Sequence, residues 1–73
     1  MRTKLYLSPH PDGGWLGKED GHEHYLIVGQ DKQDVMEFLL KYADDKRPCD
    51  IIIQNKNGEF MEERTLGTRH LPF

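Results

Sequence analysis

Cysteine is nearly missing from this 73-residue chain, in which Cys49 is the single example. One cysteine cannot form an intramolecular disulfide, so the chain is not a small secreted domain held together by disulfides. The CxxC, HxxxH and HExxH spacings of zinc sites are also missing, and the glycines form neither a GxGxxG motif nor a phosphate-binding P-loop. We therefore predict that the chain has no cofactor.

Long apolar runs are missing as well. The basic N-terminus is followed by a short apolar run, Leu5-Tyr6-Leu7, which is too short for the hydrophobic region of a signal peptide. No segment approaches the about 20 apolar residues that a membrane-spanning helix needs. We expect a complete, cytoplasmic protein that does not bind a membrane.

An excess of positive charge is the third absence. The chain has 10 basic and 13 acidic residues and a net charge of −3, which disfavours binding to nucleic acid. The candidates for a basic patch are Lys46-Arg47 and the pair Arg64 and Arg69, with Asp44, Asp45, Glu62 and Glu63 among them. Because these acids cancel much of the field, we interpret both groups as solvated surface.

Apolar residues are scarce: they make up 36% of the chain, charged residues make up 32%, and the mean hydropathy is −0.81. At this length a single domain spanning residues 1–73 buries roughly 60% of its unfolded surface, so its core must be small. We therefore expect self-association as a homodimer, since a second copy would cover further apolar surface.

The first half of the chain has the pattern of three short strands. Turn-forming segments separate them, with two prolines and two glycines in the first loop. The predicted strands are Leu5-Tyr6-Leu7, Trp15 to Lys18 and His24 to Val28, and the loops are Ser8 to Gly14 and Asp20-Gly21. We predict a three-stranded meander.

A helix follows, because the apolar period changes after Gly29. Asp31 is the predicted N-cap and Asp34 lies in the first turn, where its charge meets the helix dipole. Positions 35, 39 and 42 with 36, 40 and 43 form one apolar stripe at helical spacing. We predict a helix from Lys32 to Asp44 or Asp45, with Phe38 at the flank of the stripe.

The last third predicts a β-hairpin. The β-branched run 51–53 is typical of a buried strand, and Asn57-Gly58 supplies a tight turn. A two-residue turn would pair Lys56 with Glu59, and it would place Phe60 opposite Asn55 and Glu62 opposite Ile53. A bulged turn would instead pair Asn55 with Glu59, and it would place Met61 opposite Ile53 and Phe60 opposite Gln54. We favour the bulged turn, although a one-residue slip would exchange the two faces.

The predicted order is β-β-β-α-β-β, an α+β fold with two layers in which one helix lies on a mainly antiparallel sheet. One helix covers one face, so the other face must be polar, dimerised or used for binding. The tail 68–73 is too short for an element of its own and either docks on the domain or stays mobile.

Few side chains suggest chemistry. His22 and His24 would point to the same face if both lay in a strand, and could then bind a metal with Glu19 or Asp20. Cys49 follows Pro48 at the start of a buried strand, which is typical of a core residue and not of a nucleophile. Because no catalytic set converges, we predict that the protein is not an enzyme.

The candidate binding residues are aromatic or basic: Trp15, Tyr25, Phe38, Arg64 and Arg69. Trp15 could stand on the uncovered sheet face as a stacking platform for bases, or it could anchor the core, and we favour the core. Phe38 could be the part of the helix that a partner covers.

Taken in order, Gly14-Trp15, the single helix, the strand 49–53, Asn57-Gly58 and Thr65-Leu66-Gly67 resemble a family of small bacterial proteins of unknown function. Its members have an early Gly-Trp strand and a closing hairpin with Asp-Gly, then Thr-Tyr-Gly or Ser-Tyr-Gly. The resemblance covers roughly residues 14–67. It departs at Leu66, where the family has an aromatic residue, in the longer Pro-His-Pro loop and in the acidic middle of the chain. It implies the same architecture and no catalytic or ligand residues.

Three functional hypotheses follow. The favoured one is a small, non-enzymatic cytoplasmic protein that acts by protein contact, with itself or another protein, as a bacterial or phage accessory protein. The second is a nucleic-acid-binding module that uses Trp15, Tyr25, Lys18, Arg64 and Arg69 on the uncovered face. The third is a metal-binding protein with its site at His22 and His24.

Overall fold

The computed structural model describes residues 2–68 of the chain. Within this range it contains one helix and one five-stranded mixed sheet, which confirms the predicted β-β-β-α-β-β order. The elements are β1 (Thr3–Pro9), β2 (Trp15–Glu19), β3 (Tyr25–Gly29), α1 (Lys32–Asp44), β4 (Cys49–Gln54) and β5 (Phe60–Leu66). Of the predicted tail 68–73, the described residues include only Thr68. The prediction for the rest of the tail, including Arg69, therefore falls outside them.

The strands lie in the order β3-β2-β1-β4-β5. The pairs β1–β2 and β2–β3 are antiparallel, which confirms the meander, and β4–β5 is the predicted antiparallel hairpin. The central pair, β1 and β4, is parallel, because the chain crosses back through β2, β3 and α1 before it adds β4. The edges of the sheet are therefore β3 and β5.

Helix α1 covers one face of this sheet. Its stripe buries Val35, Met36, Leu39 and Ala43, while Leu40 and Tyr42 pack at the margin of the core. Asp31 occupies the predicted N-cap position, although its carboxylate makes no capping hydrogen bond, and Asp34 lies in the first turn. Within residues 2–68, no helix has the length and apolar character that crossing a bilayer requires.

The strands supply the other half of the core from alternate positions. The buried residues on the helix side are Leu5, Leu7, Cys49, Ile51 and Ile53. Gly17 lets the helix approach β2, because a Cβ at this position would lie 2.8 Å from Leu39 Cδ2. The burial of Cys49 in this core confirms the prediction that it is a core residue.

The closing hairpin has the bulged turn that we favoured. The Gly58 amide donates to the Asn55 carbonyl at 2.9 Å, the Asn55 amide donates to the Glu59 carbonyl at 3.0 Å, and Gly58 has a φ of +79°. The Asn55 side-chain oxygen also accepts from the Glu59 amide at 3.0 Å. These bonds pair Asn55 with Glu59 as predicted.

One detail of the hairpin prediction is wrong. Phe60 does lie opposite Gln54, but Glu62, and not Met61, lies opposite Ile53. The register shifts between these two pairs, so Met61 is an extra residue in a second bulge. Beyond the bulge, each residue of β5 therefore faces the side of the sheet opposite to the one predicted.

Candidate interaction surface

The face of the sheet opposite α1 is here called the open face. Gly17 faces the helix, so its neighbours Leu16 and Lys18 point the other way. Residues that lie opposite each other on neighbouring strands share a face, so the strand pairs identify the rest of the open face. The open face comprises Lys4, Tyr6, Ser8, Leu16, Lys18, Tyr25, Val28, Asp50, Ile52, Gln54, Phe60, Glu63 and Thr65.

An apolar band runs across the open face. One row of paired residues contains Tyr25, Lys18, Tyr6 and Ile52, and the next row places Val28 beside Leu16. Tyr25 and Val28 are 46% and 52% exposed at the β3 edge, whereas Leu16 is only 7% exposed although no helix lies above it. The band thus ends in accessible apolar side chains at the β3 edge.

The loop after β1 reaches the rim of this band. The His10 ring meets the Tyr25 ring edge-on, with centroids 5.8 Å apart. His10 Nδ1 accepts a hydrogen bond from the Asp12 amide at 3.0 Å, which holds the imidazole in the loop. Tyr25 is therefore held against the His10 ring and still keeps nearly half of its surface in solvent.

A shallow hollow of about 380 Å³ lies on the open face. It is lined by Tyr6, Ser8, Leu16, Lys18, Glu19, Asp20, Gly21 and Gln54. The lining combines apolar, amide, hydroxyl and charged groups. Among the described residues, no three His, Cys, Asp or Glu side chains are grouped as a metal site would require.

A partly buried ion pair, Arg2 with Asp50, lies at one end of the open face. Arg2 donates two hydrogen bonds to Asp50, from Nε to Oδ2 at 3.0 Å and from Nη2 to Oδ1 at 2.7 Å. Asp50 is 7% exposed and lies opposite Thr65 of β5. The hydrogen bonds from the Arg2 guanidinium are the main cause that lowers the pKa of Asp50 below its ordinary value.

Replacing Asp50 with asparagine is expected to lower the free energy of unfolding by about 1–2 kcal/mol at neutral pH, because a charged pair of hydrogen bonds is lost. The lowered pKa of folded Asp50 means that its contribution is full above the pKa of an aspartate in the unfolded chain. The contribution disappears as the pH falls through that value towards the lowered pKa.

Urea unfolding of the wild type and Asp50→Asn at neutral pH and at low pH checks this prediction. The difference between the two proteins should close at low pH. Asp12→Asn, in an exposed loop, is the control and should show no such closing difference. A difference between wild type and Asp50→Asn that is independent of pH would contradict the assignment.

The structure does not bring the predicted binding residues together. Tyr25 lies on the open face, but Trp15 lies on the helix side against the core, with Lys32 Nζ 5.4 Å from its ring. Phe38 stands on the outer side of α1 and stacks with Tyr42 at 6.4 Å. Arg64 pairs with core residue Ile51 and so faces the helix side of β5, and Arg69 lies outside the described residues. The preference for Trp15 as a core residue is confirmed.

Tyr6, Leu16 and Ile52 belong to the open face but were not among the predicted binding residues. The signal was present in β1, where Leu5 and Leu7 flank Tyr6 in an alternating pattern. The run 51–53 hid the same signal, because three isoleucines in a row do not show which one faces away from the core. Only the pairing of Ile52 with Tyr6 places it on the open face.

The two histidines of the metal hypothesis do not lie in a strand, because β3 begins at Tyr25. The premise that strand alternation aligns them is therefore wrong. His22 lies 3.6 Å from a Glu19 carboxylate oxygen, while the other Glu19 oxygen accepts from the Tyr42 hydroxyl. That hydrogen bond and burial raise the pKa of Tyr42.

Comparisons with known proteins add no relative to this description. A scan against protein-family models, a search of curated proteins and a search of solved structures each give no match. The resemblance to a small bacterial family stays a prediction, and the open face is the basis for assigning a function.

Proposed function

We propose that this protein is a small, non-enzymatic module that acts by protein contact through the sheet surface that α1 leaves uncovered. The observation that supports this most is the apolar band of the open face, with Tyr6 and Ile52 at its centre and Tyr25 and Val28 exposed at its end. Tyrosine and aliphatic side chains within a polar rim are the usual composition of a protein interface. We infer a cytoplasmic location from the lone cysteine and the short apolar run at the N-terminus, and we propose a role as a bacterial or phage accessory protein.

The charges of the open face favour a protein over a nucleic acid. Lys4 lies beside Asp50, and Glu63 lies at the β5 end of the row that contains Lys18. A surface that follows a phosphate backbone needs an excess of cations, whereas a protein surface commonly presents both signs. Trp15, the best stacking residue of the chain, faces the helix side and does not contribute.

The placement of Cys49 supports a role without covalent catalysis. The thiol lies in the core beneath α1, and burial raises its pKa, so the reactive thiolate is disfavoured. Tyr6 and Ser8 are the hydroxyl side chains that line the hollow, and its other lining residues include no histidine. The hollow therefore fits a side chain of a partner better than a substrate in reaction.

Replacing Ile52 with glutamate is expected to abolish contact through the open face, because the new carboxylate would have to be desolvated at the centre of the band. Amide NMR spectra over a dilution series from micromolar to millimolar protein measure the contact. In the wild type, amide signals of the open face should shift with concentration, and in Ile52→Glu they should not.

Phe38→Glu is the matched control, since it makes the same chemical change on the outer side of α1 and should leave the shifts intact. The opposite result, loss of the shifts in Phe38→Glu alone, would place the contact on the helix. Wild-type signals that do not change with concentration would contradict self-contact. Salt-sensitive shifts of Lys18 and Tyr25 with mixed oligonucleotides would favour the nucleic-acid hypothesis instead.

A further inference from the structure

Strand β5 is the least covered part of the described chain. It has seven residues, and those from Phe60 to Thr65 are all exposed, with Phe60 and Met61 63% and 61% exposed. It pairs with β4 on one side, so on its other side every second residue presents its backbone N–H and C=O to solvent. Such an edge can accept another strand by main-chain hydrogen bonds.

The other edge, β3, is less suited to this role. It has five residues, of which Leu26 is bulged between the pairs formed by Tyr25 and Ile27, and α1 packs against it. It also has no charged residue, so nothing on it would select one register of pairing over another. An edge that forms a specific contact needs such a signal.

Strand β5 has that signal in a self-complementary form. Glu62 and Arg64 are two residues apart and lie on the same face, with Arg64 Nε 3.7 Å from Glu62 Oε2. Both side chains are about half exposed. Beyond the Met61 bulge the strand is regular. A two-fold axis can therefore align Glu62, Glu63 and Arg64 of one copy with Arg64, Glu63 and Glu62 of the other.

We propose that two copies of this chain pair antiparallel along β5, with Glu63 opposite Glu63 of the second copy. This inference goes beyond the proposed function, because the two copies meet at their β5 edges and leave both open faces uncovered. In this register Glu62 of each copy lies opposite Arg64 of the other, which forms two pairs of opposite charge. Symmetric registers centred on Glu62 or Arg64 also place like charges at the axis, but they form no pair of opposite charge in return.

The two Glu63 carboxylates meet on the open face and oppose pairing. Together with the small area that one strand can bury, this repulsion gives a weak, reversible dimer in the micromolar to millimolar range. The axis is perpendicular to the sheet, so both helices lie on one side and both open faces form one continuous surface on the other. The dimer thus doubles the open face.

Charge reversal tests the register. Arg64→Glu should raise the dimer dissociation constant by about tenfold, because both opposite-charge pairs become like-charge pairs. The double variant Glu62→Arg with Arg64→Glu should return it to within about threefold of the wild type, since both pairs reappear in reversed order. Glu63→Gln should lower it by about threefold, since the repulsion at the axis is removed.

Cross-linking tests the same geometry through distance. Opposed residues on neighbouring strands lie about 4.5–5.5 Å apart, so Glu63→Cys should form a disulfide-linked dimer under mild oxidation. In the matched control Thr65→Cys, the two cysteines would be about 13 Å apart along the strands, beyond disulfide reach. Cys49 is buried and does not compete.

The outcomes separate the two proposals. If the wild type associates but the double charge reversal is no tighter than Arg64→Glu, or Glu63→Cys cross-links no faster than Thr65→Cys, pairing along β5 in this register is overturned while protein contact through the open face stands. If the wild type shows no association at all, self-contact in the proposed function fails as well. The exposed positions on β5 leave the core intact in every variant, which the amide spectrum verifies.

Discussion

Replacing Leu39 with alanine is expected to lower the free energy of unfolding by about 3 kcal/mol, the cost of a cavity in a packed core. Leu39 is fully buried at the centre of α1 and lies over Gly17 of β2. The loss is large for this protein because a small domain has a total stability on the order of 5 kcal/mol. Urea unfolding followed by Trp15 fluorescence and by circular dichroism measures it.

Phe38→Ala is the matched control for this prediction. Phe38 precedes Leu39 on the same helix but is 39% exposed and stacks with Tyr42 outside the core. Its truncation leaves no enclosed cavity and should cost less than about 1 kcal/mol. Equal losses for the two variants would mean that α1 does not pack on the sheet by the face described above.

Replacing Gly14 with alanine is expected to cost about 3 kcal/mol, for two separate reasons. Gly14 has a φ of +81°, where an L-residue is strained, and a Cβ at this position would lie 2.6 Å from the Gly29 carbonyl oxygen. That oxygen belongs to backbone of β3, which pairs with Trp15 and cannot shift without disturbing the sheet. Urea unfolding measures the loss.

Gly21→Ala separates the two reasons. Gly21 has a similar φ of +85°, but a Cβ at this position would meet nothing within 4 Å. Gly21→Ala should therefore cost only about 1 kcal/mol, the conformational strain alone. If the two variants lost the same stability, the close approach between Gly14 and Gly29 would not exist in solution.

The location of the core also bears on function. The main core cluster lies between α1 and one face of the sheet, and Leu16 is the one buried apolar side chain of the described residues on the open face. Stability therefore depends mainly on the helix side. The exposed positions of the open face and of β5 can vary with little loss of stability, as a surface for contact requires.

The candidate surface could be predicted only in part. The expectation that one helix would leave one face of the sheet uncovered followed from the count of predicted elements, and the structure confirms it. The individual residues did not follow, because Trp15 and Arg64 are aromatic and basic and yet lie on the helix side. Residue type alone does not report on which face a side chain lies.

The sequence by itself determined the features that depend on neighbouring residues: the extent of α1, its buried stripe and the turn at Asn57-Gly58. Each is set by contacts within a few positions, such as the i, i+4 spacing of apolar side chains and the left-handed backbone of glycine.

Only the tertiary structure decided that β1 and β4 pair in parallel, that Met61 bulges from β5 and that Ile52 joins Tyr6 on the open face. These features depend on which distant strands share hydrogen bonds and in what register, and such pairings bring together residues far apart in the chain. A local pattern is the same for every register that the sheet could adopt, so the packing of the whole chain has to select one.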